Sequence, residues 1–239
     1  MNTNTSNNIS IRRSDERGHA DHGWLLAKHS FSFADYYDPA HVSFRSLRVI
    51  NEDRIAPGKG FGTHPHSNME IFTYVIYGKL EHKDSMGNGR IIEAGQFQYM
   101  SAGEGVLHSE FNPSPDQETH LLQIWITPRK PGGEPRYADM DTRQLKKKNA
   151  LTLFASADGR NESIAMRQDA EVHFGQLDKD ASLTLPGNKD FPHIWIQMIR
   201  GDVEIDGIRI QSGDAASFLS NAQEIHAHRD SEFILFQLS

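Results

Sequence analysis

Two histidines one residue apart, His64 and His66, follow a glycine-rich run in GKGFGTHPHSNMEIF (residues 58–72), and Glu70 comes four residues after the second. In an extended chain residues i and i+2 point to the same side, so both imidazoles can face one interior. Pro65 between them removes a backbone donor and stiffens the segment. Such a pair on its own is more often a satisfied feature of a core than a metal site. A second short motif changes that balance: HSE, His108–Ser109–Glu110, repeats the i, i+2 spacing further along the chain. Antiparallel pairing would set it opposite His64 and His66. Three neutral imidazoles and one carboxylate suit a divalent first-row metal and leave one or two positions for water or substrate. The chain has no cysteine, which excludes disulfides, thiolate sites and cysteine nucleophiles and disfavours a closed structural zinc.

The elements that must position these residues read as strands. SLRVINEDRI (46–55), EIFTYVIYG (70–78), RIIEAG (90–95) and LLQIWI (121–126) are rich in β-branched and aromatic residues and are bounded by turn formers. Gly87-Asn88-Gly89 suits a hairpin tip, since Gly and Asn tolerate positive φ. Helical periodicity is confined to a weak pattern over 139–148. The second half repeats the first: GRIIEAGQFQYMSAGEGVLHSEFN (89–112) aligns without a gap on GIRIQSGDAASFLSNAQEIHAHRD (207–230). Upstream, EIFTYVIYGKLEHKD aligns on HIWIQMIRGDVEIDG, with Gly78 on Gly201. The expected fold is therefore all-β, two tandem jelly-roll barrels with few short helices. The expected limits are a disordered tail over 1–10, a metal-binding barrel over 11–135 and a degenerate barrel without metal over 136–239. In the second copy Gly187 and Lys189 fall on His64 and His66, and His226 and His228 on His108 and Glu110.

At 239 residues and a formal net charge of −7, with basic residues mostly interspersed among acidic ones, direct nucleic-acid binding is not expected. Lys146-Lys147-Lys148 is the densest basic run and reads as a solvated linker. No apolar run approaches the ~20 residues of a membrane span, and the polar start MNTNTSNNIS lacks a secretory core. A cytoplasmic protein, monomeric because two barrels can bury one another, is the simplest expectation.

Gly58-x5-His64-x-His66-x3-Glu70 with Gly78 resembles the first cupin motif, and Gly95-x5-Ser101-x-Gly103 with His108-x3-Asn112 a loosened second one. More specifically, FGTHPHSNMEIFTYVIYGKLEHKDSMGNG and MSAGEGVLHSEFNP resemble pirin-family signatures, and RGHADHGWLLAKHSFSFADYYDP is similar to the start of short bacterial pirin-like proteins. That resemblance implies a bicupin (double-stranded β-helix barrels) with one metal in the N-terminal barrel, held by His64, His66, His108 and Glu110. In the wider cupin pattern the glutamate ligand comes from the first motif, at Glu70, so Glu70 and Glu110 compete for that place. The resemblance further implies quercetin 2,3-dioxygenase-type activity, with a flavonol-like aromatic substrate, O2 and release of carbon monoxide; a carboxylate at Glu110 can accept the substrate's hydroxyl proton if its metal bond is labile. Iron(II) is the first choice of metal, with manganese, nickel, cobalt, copper or zinc fitting the same ligands. The alternative is an iron-binding redox-sensing or regulatory protein acting through a protein partner; a non-redox cupin such as an isomerase is a third. Phe61, Met69, Phe72, Met100 and Phe111 are candidate cavity walls; the arm carrying His19, His22, His29 and His41 among Phe31, Phe33, Tyr36 and Tyr37 is expected to pack against a barrel, with lining of a pocket as the alternative, and Asp35, Tyr36 and Tyr37 are candidates either to close a site or to cap a turn. His82, His120, His173 and His193 show no ligand spacing.

Overall fold

The computed structural model describes residues 9–145, 147–185, 187–220 and 223–239. Residues 1–8 of the expected tail, and Lys146 of the lysine run, lie outside the described residues. The chain forms two compact units, one comprising Arg17–Leu145 with Ile164–Gln168, the other taking the rest of the described chain.

Strand β1 (Ser10–Arg12) belongs to the second unit, where it pairs with Ala215–Leu219. Part of the expected tail is thus ordered as an edge strand. The first unit is built from β2 (Gly18–Asp21), β3 (Leu25–His29), β4 (Leu47–Ile55), β5 (Gly60–His66), β6 (Glu70–Tyr77), β7 (Lys79–Asp84), β8 (Gly89–Glu93), β9 (Gln96–Ser101), β10 (Val106–Phe111), β11 (Thr119–Ile126) and β12 (Arg136–Asp141). Among the described residues these form a seven-stranded sheet in the order β12-β9-β6-β11-β4-β3-β2 and a four-stranded sheet in the order β5-β10-β7-β8.

The sheets close on an apolar interior because alternate residues along each strand face it. Leu25, Ala27 and Ile55 from the larger sheet pack with Val75 and Leu121, and with Leu80 and Ile92 from the smaller one. Each fully buried aliphatic side chain of this kind contributes about 1.5–3 kcal/mol. On β6 the interior face is Ile71, Thr73 and Val75, since Ile71 and Val75 reach the mixed clusters with Val106 and Leu80. Phe72 and Tyr74 pack on the other face against Phe97 and Tyr99 of β9. The parity of β6 decides the role of Glu70 below.

The stretch 139–148, expected to be helical, instead carries the end of β12 and one short turn of helix, Thr142–Leu145. Backbone pairing of Asp139 with Gln98 and of Asp141 with Gln96 outweighs the weak periodicity.

The second unit repeats the architecture. Its smaller sheet runs Ser182–Leu185, Gln223–Ala227, Asp202–Ile205, Ile208–Gln211, the same order as β5-β10-β7-β8. Gly78 and Gly201 occupy equivalent turns with φ of 78° and 94°. A Cβ there would lie 2.5 Å from the carbonyl oxygen of Glu118 or of Asp230, so both copies require glycine.

Candidate metal centre

The pairing of β5 with β10 assembles the histidines. His64 lies directly opposite His108 in the ladder, and the register then slips so that Glu110 pairs with Phe61. Two residues of β5, Gly62 and Thr63, oppose the single Ser109, which makes β5 the bulged strand. The rings of His64, His66 and His108 meet with centroids 4.4–4.8 Å apart. Their ligating nitrogens lie within 4.8 Å of one another.

The local hydrogen bonds prepare these nitrogens. His64 donates from Nδ1 to the Gly62 carbonyl at 2.7 Å, which leaves a lone pair on Nε2. That Nε2 stands 3.0 Å from Nε2 of His108. Two imidazole nitrogens bound side by side to one metal at about 2.1 Å lie about 3.0 Å apart, so the pair fits a shared cation. Burial first, then the neighbouring imidazoles, push His66 down to about 4 and His108 to about 3. Both are therefore neutral, as metal ligands must be, over the physiological range.

Glu110 is buried, 3% exposed. Gln123 donates from Nε2 to its Oε2 at 2.8 Å, while Thr73 reaches Oε1 only at 3.4 Å and Gln123 Oε1 at 3.1 Å. Burial raises the Glu110 carboxyl above the ordinary range despite the nearby histidines and the Gln123 hydrogen bond, which act the other way.

Glu70 is elsewhere. It shares the β6 face of Phe72 and Tyr74, opposite to Thr73, and accepts from the Tyr99 hydroxyl, from Ser101 Oγ at 2.6 Å and from the Arg167 backbone N–H at 2.9 Å. Its oxygens are committed to those donors. Three residues, Ser67–Met69, separate β5 from β6, and Asn68 turns the chain with φ 52°. The strand alternation that would have put Glu70 beside His66 is interrupted there.

His82, without ligand spacing in the sequence, is brought to the site. It pairs with Glu110 across β7–β10, and its ligating atoms cluster with those of His108 and Glu110. Both ring nitrogens are engaged, Nδ1 accepting from Gln98 at 2.8 Å and Nε2 donating to Asp84 at 3.1 Å. His82 therefore packs against the site already satisfied. His120 is held by Glu52 and His173 by Glu171.

A cavity of about 620 Å³ opens beside the cluster, lined by His64, His66 and Glu110. The arm covers it with His19, His22, His29, Phe33, Asp35 and Tyr36, and Trp24, Phe61 and Trp125 form aromatic walls. Of the five wall candidates Phe61 lines it; Phe72 and Met100 lie in the protein core, Met69 packs against the Ile71–Met100 cluster, and Phe111 is exposed. Large side chains on the face of β6 and β9 away from the interior are as apolar as those lining the cavity, so type alone did not separate them. In the second unit His226 hydrogen-bonds Ser182 at 3.1 Å and His228 meets Glu204 at 3.2 Å. Among the described residues, the groups suited to a metal ion are the two clusters around His108.

Comparison with known proteins places the whole chain among relatives. Residues 10–126 match the family model Pirin, and 153–238 match the quercetinase C-terminal cupin domain. A quercetin 2,3-dioxygenase of Escherichia coli (strain K12) is 46% identical over 231 residues, covering 96% of this chain and 98% of that one. A pirin-like protein of Caulobacter vibrioides is 40% identical over 223 residues, covering 92% and 95%. The crystal structure of the bacterial pirin YhhW from Escherichia coli in complex with nickel(II) superposes with a TM-score of 0.91 at 44% identity, covering 96% of this chain and 98% of that one.

Proposed function

The chain belongs to the pirin family of bicupins, and from that premise we propose that it is a metal-dependent dioxygenase that opens a flavonol ring with O2 and releases carbon monoxide. The observation that carries the reading is a cluster of three imidazoles, two of which, His64 and His66, line an aromatic cavity together with the buried carboxylate of Glu110. His64, His66, His108 and Glu110 would hold one divalent ion in the N-terminal barrel. Iron(II) is the proposed ion, and nickel(II) in the related bacterial pirin shows that this kind of scaffold accepts a divalent cation. Bound there, the cation supplies positive charge that lowers the pKa of a flavonol hydroxyl.

The remaining work falls to the chain. Trp24, Phe61 and Trp125 offer flat apolar walls to a planar aromatic substrate and exclude water from it. Gln123 holds Oε2 of Glu110, and Oε1, whose one hydrogen-bond partner among the described residues is the long Thr73 contact, would accept the substrate's hydroxyl proton where the bond of the carboxylate to the ion is labile. The arm residues Phe33 and Tyr36 close over the same space.

The test is reconstitution. Protein stripped by chelation is reloaded without oxygen with one equivalent of Fe(II), Mn(II) or Ni(II), then given quercetin and air. Loss of flavonol absorbance with equimolar O2 uptake and carbon monoxide supports the reading. A fully loaded site that leaves quercetin intact with each of the three metals rejects it.

A further inference from the structure

Two pairs of polar side chains facing the cavity are committed to one another. His29 Nδ1 and Asn51 Oδ1 lie 2.8 Å apart, and Gln123 is engaged by Thr73 and Glu110. Asp53 stands apart from them. Alternation along β4 sets Asn51 and Asp53 on the same side, and both line the cavity. Asp53 is 4% exposed, and its Oδ1 has no hydrogen-bond partner among the described residues. Its ladder partners on either side are Ala27 and Leu121, whose side chains offer no donor. A buried carboxyl left unmatched is costly in the empty protein.

We propose that Asp53 is a substrate-anchoring residue, binding an oxygen substituent of the flavonol-like ring system through its carboxyl group. The proposal rests on the dioxygenase reading above and adds the residue that discriminates among oxygenation patterns. Burial, with Glu110 and Glu52 nearby and Arg17 opposing, pushes the carboxyl up to about 8. In the metal-free protein near neutral pH it is thus mainly a protonated acid, able to donate from one oxygen and accept at the other. A phenolic hydroxyl or a ring carbonyl matches such a group, whereas an unsubstituted ring edge leaves it unpaired.

Asp53→Leu and Asp53→Asn in the metal-loaded full chain test this, first by titrating quercetin without oxygen and then by steady-state kinetics. Asp53→Leu is expected to raise Kd and KM about tenfold or more while kcat changes less than about threefold. Asp53→Asn retains a donor and an acceptor and is expected to stay within about threefold of the original chain. A carboxyl that does not touch the ligand leaves Kd and KM unchanged in Asp53→Leu, whatever the melting temperature does, and that overturns the proposal. Alongside, flavonols each lacking one hydroxyl are titrated into the unsubstituted protein and Asp53→Ala. One deletion should weaken binding to the former about tenfold and leave Asp53→Ala unaffected; equal losses in both proteins overturn the proposal even if Asp53→Leu does not fold. If the unsubstituted protein binds no flavonol, the dioxygenase reading falls and this proposal with it. If it binds and Asp53→Leu binds equally well, only the anchoring role falls.

Discussion

At the scale of single residues the two candidate carboxylates separate by what they touch. Glu70 satisfies a tyrosine, a serine and a backbone N–H away from the cavity, whereas Glu110 lies beside the histidines. Glu70→Ala strands those buried donors and is expected to cost about 2–3 kcal/mol in urea unfolding while metal content is retained. Glu110→Gln is expected to lower turnover by about a hundredfold or more and to weaken metal retention, with little loss of fold stability. Metal loss from Glu70→Ala with retention in Glu110→Gln would reverse the assignment. Titration gives a second test in the metal-free protein. Asp53 has its folded value raised from 3.8 to about 8, so the stability tied to it is full below about pH 4 and is lost as the pH rises through about 8. His66 and His108 have folded values lowered from 6.5, so their contribution is full above about pH 6.5 and is lost as the pH falls toward about 4 and about 3. Melting curves of chelated protein should therefore peak between these limits, and Asp53→Asn should flatten the alkaline limb and steepen the acid one, where Asp53 and the histidines oppose each other. An unchanged alkaline limb would contradict the buried-acid assignment.

At the scale of elements the centre depends on one irregular strand pair. The bulge in β5 supplies the Gly62 carbonyl that orients His64, and it displaces Glu110 from the regular register. Deleting Gly62 removes the extra residue, and metal affinity is expected to fall at least tenfold while the far-ultraviolet β-sheet spectrum is kept. Unaltered affinity would show that the bulge does not set the site. The i, i+2 histidine and HSE patterns were readable in the sequence because alternation within a strand is a local property. The choice between Glu70 and Glu110 was not, because the turn at Asn68 resets alternation between β5 and β6. His82 and Asp53 were invisible for a different reason. Each reaches the site through pairing with strands distant in sequence, β7 with β10 and β4 with β3 and β11, and one sequence carries no record of those registers. The tandem barrels were legible, since repetition of the glycine turns, with a hairpin five residues shorter in the second copy, survives where the ligands do not.

At the scale of the whole molecule the two units share a strand order but not a chemistry. The positions answering to His64 and His66 are Gly187 and Lys189, and His226 and His228 are held by Ser182 and Glu204. One metal per chain is therefore expected by elemental analysis, and the double variant His226→Ala/His228→Ala should bind the same amount. A fall by one equivalent in that variant would place a metal in the second unit. The central claim, that the His64–His66–His108–Glu110 centre performs oxygen-dependent flavonol cleavage, is tested most directly by oxygen uptake with quercetin. Protein carrying one equivalent of Fe(II) is compared with the chelated protein and with His108→Ala exposed to the same iron. Uptake matched to flavonol loss in the loaded protein, and absent from the other two, is the predicted result; equal rates in all three, or none in the loaded protein, would contradict it.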